Sequence, residues 1–226
     1  MSVTRGTKKF CDMFDRAQVY STTPGHNGWT IADTSSSGTP TYLNITEDGG
    51  AAKLTLASTS EEEIVTLYQS DVLPWDLAKL QYVEFDVKVA GMDAVTDVVV
   101  GIGSARNDTE DSVSVNAWFK IDGSVSTSSL VVETDDGTTD NDDVSTGTSL
   151  SSTYKRLTID LTNGLSDVRF YVDGARVADG TTFSLSSVTS GQNVQPIIQI
   201  HKASGTGVGS VTIARVEAQY SYAYGA

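Results

Sequence analysis

The chain is poor in several things that proteins commonly use. Only one of its 226 residues is a cysteine, Cys11, so no internal disulfide can form and the fold must be held by its core. A lone cysteine in a strand-like stretch is expected to be a small buried residue. Residues 1–10, MSVTRGTKKF, carry charge but lead into no apolar stretch, so they do not read as a cleavable export signal. No run approaches the roughly 18 apolar residues of a membrane-spanning helix. Bases are few: 15 Lys and Arg stand against 29 Asp and Glu, for a formal net charge of −14. Such a chain is disfavoured as a partner of nucleic acid or of an anionic membrane. Gly-x-Ser-x-Gly and Gly-x-x-x-x-Gly-Lys are both missing, and the two histidines, His26 and His201, have no Ser or Cys elbow beside them. Sustained helical periodicity is also absent.

What is present is alternation. In Tyr154–Asp179, YKRLTIDLTNGLSDVRFYVDGARVAD, Leu157, Ile159 and Leu161 alternate with Thr158 and Asp160. After Asn163-Gly164 a second apolar set follows, Val168, Phe170 and Val172, and then Asp173-Gly174. An Asp-Gly pair between alternating hydrophobics signals a type I′ hairpin, because both central residues need positive φ. The apolar face of this unit needs a second sheet to cover it. The run Val-Arg-Phe-Tyr-Val-Asp-Gly resembles the hairpin of laminin G-like domains, within the concanavalin A-like group of lectins and glucanases. That resemblance implies an all-β jelly-roll sandwich of two antiparallel sheets. It leaves function open, because jelly rolls host many activities.

The same alternation predicts strands over Phe10–Phe14, Tyr42–Thr46, Ala52–Leu56, Glu63–Gln69, Leu80–Ala90, Leu130–Thr134 and Val194–His201. Val95–Ile102 is continuously apolar, as a central strand buried on both faces is. In Val113–Ile121 the phase points Val113, Val115, Ala117, Phe119 and Ile121 inward, and Ser114, Asn116, Trp118 and Lys120 outward. Ser210–Tyr220 changes phase, which predicts a bulge or bend near Ala214-Arg215. Roughly twelve to fifteen strands exceed what one flat sheet holds. Residues 10–226 therefore read as one jelly-roll domain, preceded by a basic arm at 1–9. The stretch 135–152, DDGTTDNDDVSTGTSLSS, reads as a polar loop. Trp29 and Trp75 read as core or rim packing.

Four sets of residues could carry chemistry. Glu84-Phe85-Asp86-Val87-Lys88 resembles the Glu-x-Asp-x-Glu strand of laminarinase-type glucanases, which places three carboxylates on one sheet face. Lys88 stands where the second Glu belongs and cannot serve as the carboxylic acid. The resemblance therefore implies no retaining hydrolysis, and Glu84, Asp86 and Lys88 read as a solvent-facing polar stripe. Trp118, with Asn116 and Lys120 beside it, reads as an open platform for a sugar ring, to which Gln199 and His201 could contribute. Asp135, Asp136, Asp140, Asp142 and Asp143 could supply oxygen ligands to calcium, which some laminin G-like domains hold at a loop rim, although the spacing matches no EF-hand. Arg5, Lys8 and Lys9, together with Tyr220, Tyr222 and Tyr224, read as anchors onto a partner.

The opening Phe-x-Asp-x-Phe-Asp-Arg, with Gly-Trp further on, resembles the start of jelly-roll proteins of phage particles and of carbohydrate-active enzymes. With no catalytic set, the first expectation is a non-enzymatic virion accessory protein, a capsid decoration or cement protein of a tailed phage. It would be made in the host cytoplasm, require no cofactor, form a homo-oligomer and bind the major capsid protein or another virion protein, with surface glycans as further partners. The alternatives are a carbohydrate-binding module or lectin and, disfavoured, a glycoside hydrolase.

Overall fold

The computed structural model describes residues 5–223, and among them sixteen strands form two sheets. In chain order these are β1 (Arg5–Asp12), β2 (Thr30–Asp33), β3 (Thr41–Ile45), β4 (Ala51–Thr55), β5 (Glu63–Tyr68), β6 (Trp75–Asp76), β7 (Leu80–Ala90), β8 (Thr96–Gly103), β9 (Asn116–Ile121), β10 (Ser129–Asp135), β11 (Asp140–Ser149), β12 (Lys155–Asp160), β13 (Arg169–Val172), β14 (Ala175–Val177), β15 (Asn193–Lys202) and β16 (Ser210–Ala223). Sheet A has the order β14-β13-β12-β7-β16-β4-β3, with β1 beside the second half of β16. Sheet B has the order β11-β10-β9-β8-β15-β5-β2, with β6 beside the start of β15. The pairings are antiparallel, and the chain crosses between sheets on either side of β2, from β4 to β5, on either side of β7, from β11 to β12, and on either side of β15. The two packed sheets are those the alternation predicts, and their jelly-roll arrangement is the one the resemblance implies.

The Tyr154–Asp179 unit folds as its pattern demands. Leu157 pairs with Val172 and Ile159 with Phe170, and all four are buried. Asp173 and Gly174 take φ of 52° and 80°, the positive values a type I′ turn needs. Between the sheets, Phe170 meets Phe119 of β9 edge-on at 5.3 Å and Phe183 at 5.0 Å. A second aromatic group near the first strand joins Phe10, Phe14, Trp29 and Trp75, and Asp12 accepts the Trp29 indole N–H at 2.8 Å. Both tryptophans are buried there. The phase change in β16 is a bulge, with the register slipping between Ile213 and Arg215.

Several expectations need correction. Residues from Arg5 onward are not a free arm: β1 pairs with β16 from Arg5↔Ala223 to Asp12↔Val216. Lys9 Nζ makes an ion pair with Glu217 at 3.0 Å, and Lys8 stands opposite Tyr220. Tyr220 is partly buried against the core. Tyr222 pairs with Gly6 through the backbone, and Tyr224 lies outside the described residues. Most of the supposed polar loop is β11, the edge strand of sheet B, whose one buried side chain is Thr146. Cys11 is exposed rather than buried. Val113 packs outside sheet B with Val99 and Trp118, not in the main core.

Candidate functional site

The outer face of sheet B gathers the residues expected to bind a glycan. β9 and β15 flank β8, and the register places Asn116 opposite Gly103, Trp118 opposite Gly101, and Gln199 opposite Val99. All of them point away from the core, as their phase predicts, yet the face is not open. The β8–β9 connection, residues 104–115, folds back over it. Arg106 donates to Thr66 at 3.4 Å, the Gln199 side-chain amide donates to the Asp108 carbonyl at 3.1 Å, and Lys120 Nζ lies 3.4 Å from Asp111. Trp118 is consequently 0% exposed and offers no face to a sugar ring. Gly101 makes room for it, since a Cβ there would lie 2.4 Å from the Trp118 Cβ and 2.5 Å from its Cα.

Asn116, Lys120 and Gln199 are also buried, and His201 is held between Glu62 at 3.5 Å and Asp97 at 3.9 Å. Beside them lies Glu133 of β10, which the sequence reading missed. It sits opposite Trp118 and is 2% exposed. Its Oε2 makes no hydrogen bond, with Lys120 Nζ 3.7 Å away. Burial raises its pKa to about 7, against the opposing pull of Lys120 and the Trp118 indole. The alternation of Leu130 and Val132 inward would have flagged Glu133 as outward-facing, but not as covered. At the rim, a cleft of about 460 Å3 is lined by the acids Glu62, Asp97, Asp108, Glu110 and Asp111 together with His201, Thr34, Thr109 and Ile64.

The five aspartates expected to hold calcium do not converge. Asp135 and Asp140 face each other across β10 and β11. The buried Asp136 accepts the Thr139 and Ser187 amides at 2.7 and 2.9 Å. Asp143 turns to Lys120 at 3.4 Å, while Asp140 lies against Asp142, and burial and that neighbour raise Asp140 to about 6. Among the described residues no three metal-binding side chains are arranged to hold a cation.

The larger cleft lies on the opposite side of the molecule. The outward residues of β12, β7 and β16 form the floor of a groove of about 670 Å3, lined by Met13, Glu84, Asp86, Tyr154, Lys155, Arg156, Thr158, Asp173, Gly174, Ala214 and Arg215. Strand phase alone accounts for most of the floor, because Thr158 opposes Glu84 and Arg156 opposes Asp86. The bulge at Ala214 aims Arg215 into the same floor. Arg215 reaches Glu84 at 2.7 Å, Asp86 at 3.0 Å and Glu217 at 2.9 Å. Arg156 grips Asp86 with two hydrogen bonds, at 2.8 and 3.1 Å, and Lys155 pairs with Asp173 at 2.8 Å. Burial alone would raise Asp86, but Arg156 and Arg215 outweigh it and hold the carboxyl below its ordinary value. Lys88 makes an ion pair with Glu47 and lies 4.6 Å from the centre of the Tyr154 ring. The expected polar stripe is thus a fixed ion-pair network. Neither Arg156 nor Tyr154 was singled out from sequence, although both belong to the hairpin read most clearly there.

The architecture has counterparts among solved structures. The Bacteroides ovatus mixed linkage glucan GH16, in complex with a product, superposes with a TM-score of 0.62 at 11% identity, over 92% of this chain and 99% of that one. The Bacillus licheniformis β-glucanase gives 0.60 at 13% identity, over 93% and 97%. The carbohydrate recognition domain of Emp47p gives 0.51 at 12%, over 91% and 95%. The chain has the concanavalin A-like jelly-roll fold. At these identities the likeness speaks for the fold alone. No protein-family model matches the chain, and no curated protein matches it in sequence. Among the described residues no helix is long and apolar enough to cross a membrane.

Proposed function

We propose that the chain is a non-enzymatic carbohydrate-binding jelly roll and that its ligand lies in the groove of sheet A. The observation that carries this reading is the make-up of the groove. Its lining has three bases and three acids within a chain of net charge −14, so an uncharged ligand meets no net field there. The arginines keep further N–H donors and the carboxylates keep further lone pairs, and a sugar can use both through its hydroxyls. Tyr154 supplies an aromatic wall for the apolar face of a pyranose. The floor is built on strands, so it is already formed before binding. β-Glucanases and a carbohydrate recognition domain share the fold, which accords with the reading.

The non-enzymatic part rests on Lys88 in place of a carboxylic acid and on the capture of Glu84 and Asp86 by arginines. A screen of neutral oligosaccharides with wild type, Tyr154→Ala and Trp118→Phe tests the site. Binding lost only in Tyr154→Ala supports the groove, whereas binding indifferent to Tyr154 removes it. Release of reducing sugar from a β-glucan, abolished by Glu84→Gln, would overturn the absence of catalysis.

A second reading, a decoration protein on a phage capsid, is favoured by the opening Phe10–Arg16 sequence and is compatible with glycan binding. The supposed anchoring arm does not add to it, because its described part is a paired strand. Density-gradient fractions of particles from the source decide it: a fixed, high copy number with the capsid supports a virion role, and recovery only at the top of the gradient removes it.

A further inference from the structure

Taking the groove of sheet A as the glycan site, we propose that Asp86 sets its specificity, restricting it to uncharged sugars by occupying the two guanidinium groups that would otherwise receive an acidic one. Arg156 offers Asp86 its Nε and one Nη at 2.8 and 3.1 Å, the side-on fork by which arginine takes a carboxylate. Arg215 adds its Nε to the same carboxylate at 3.0 Å. One side chain therefore fills the position that the carboxylate of a uronic or sialic acid would take, and fills it with the same chemical group.

The remaining nitrogens of Arg215 already serve Glu84 at 2.7 Å and Glu217 at 2.9 Å. An acidic sugar that takes the side-on fork of Arg156 must displace Asp86 from it, weaken the hold on a half-buried carboxylate, and approach a chain of net charge −14. A neutral sugar does none of this, because it needs only the donors and lone pairs left over. Rejection of a competitor by an internal charge is specificity by exclusion. Strand pairing fixes the placement: Asp86 opposes Arg156 on β12 and Arg215 on β16, so one residue of β7 lies between the two bases.

Asp86→Asn keeps the size of the side chain and removes its charge. The groove then has one base in excess, and no carboxylate holds the fork of Arg156. The experiment titrates wild type and Asp86→Asn with glucose and with glucuronate by ligand-observed NMR, at low salt and at about 0.5 M NaCl. The variant is expected to gain at least about tenfold in affinity for glucuronate relative to its own affinity for glucose, and to lose that gain at high salt. Equal glucuronate binding by the two proteins overturns the proposal. Should Asp86→Asn fail to fold, Asp86→Ser removes the same charge with less bulk and is read identically. The two layers separate cleanly. A variant that gains glucuronate while neither protein binds any neutral sugar upholds the gate and sinks the neutral-glycan reading. A wild type that binds neutral sugars while the variant gains nothing does the reverse.

Discussion

Glu133 is a carboxylate that the fold would hold more easily as an acid. It faces Asn116, Trp118 and Lys120 on β9 and feels Asp111 of the covering loop and Asp142 of β11, and burial lifts its pKa from 4.5 to about 7. The unfolded chain releases this proton near 4.5, whereas the folded chain keeps it to about 7. Between those values the folded state binds more protons, so stability falls as pH rises through the window. At about 1.4 kcal/mol per tenfold change, the loss is on the order of 3 kcal/mol. Glu133→Gln stays neutral throughout and escapes it. The two proteins should be about equally stable at pH 4, and the variant should be more stable by up to about 3 kcal/mol at pH 8. Urea unfolding at pH 4, 6 and 8 measures this, with equal m-values as the check on two-state behaviour. A difference that does not change with pH would refute the argument, and so would a variant that is weaker at pH 8. The first result would mean that Lys120 balances the effect of burial, and the second that it outweighs it.

Two further substitutions test packing. Lys202 and Glu63 are both fully buried 3.4 Å apart, and Lys202 also donates to the carbonyls of Ala57 and Thr59, so Lys202→Met leaves a buried carboxylate uncompensated. Thermal unfolding should reveal a loss of about 3–5 kcal/mol, and a loss near zero would show that water reaches the pair. Gly101→Ala drives a methyl group into the Trp118 backbone, and indole fluorescence together with urea melts should report a displaced Trp118 and a loss of about 1–3 kcal/mol.

The parts of the fold that were legible in the sequence are those where one face is apolar and the other polar. The β12–β14 hairpin, the long β7 and the β16 bulge all declare themselves by phase, because each is flanked on both sides or turns at a glycine. β11 does not, since an edge strand of sequence DNDDVSTGTS buries almost nothing and leaves no alternation to read. Residues 5–9 of β1 read as part of an arm because their lysines conceal a pairing with β16, about 210 residues away. Trp118 shows a different limit. Its direction was right, but the loop that covers it joins β8 to β9 without any local signal that it folds back. The groove of sheet A was half legible. Glu84, Asp86 and Lys88 stood out as a stripe, whereas the arginines that give the stripe its character come from strands about 70 and 130 residues away.

The position of β16 bears on when the protein can fold. It lies between β7 on one side and β4 and β1 on the other, so sheet A has no middle until residues 210–223 are in place. During synthesis β1, β4 and β7 emerge first and must wait, with hydrogen-bonding edges open, for the strand that joins them. Sheet B also waits, because its central β15 precedes β16 only slightly. Such long-range pairing makes folding slow and leaves the nascent chain prone to wrong strand partners. The lysines of β1 and the acids along β7 keep those waiting edges charged and soluble until β16 arrives.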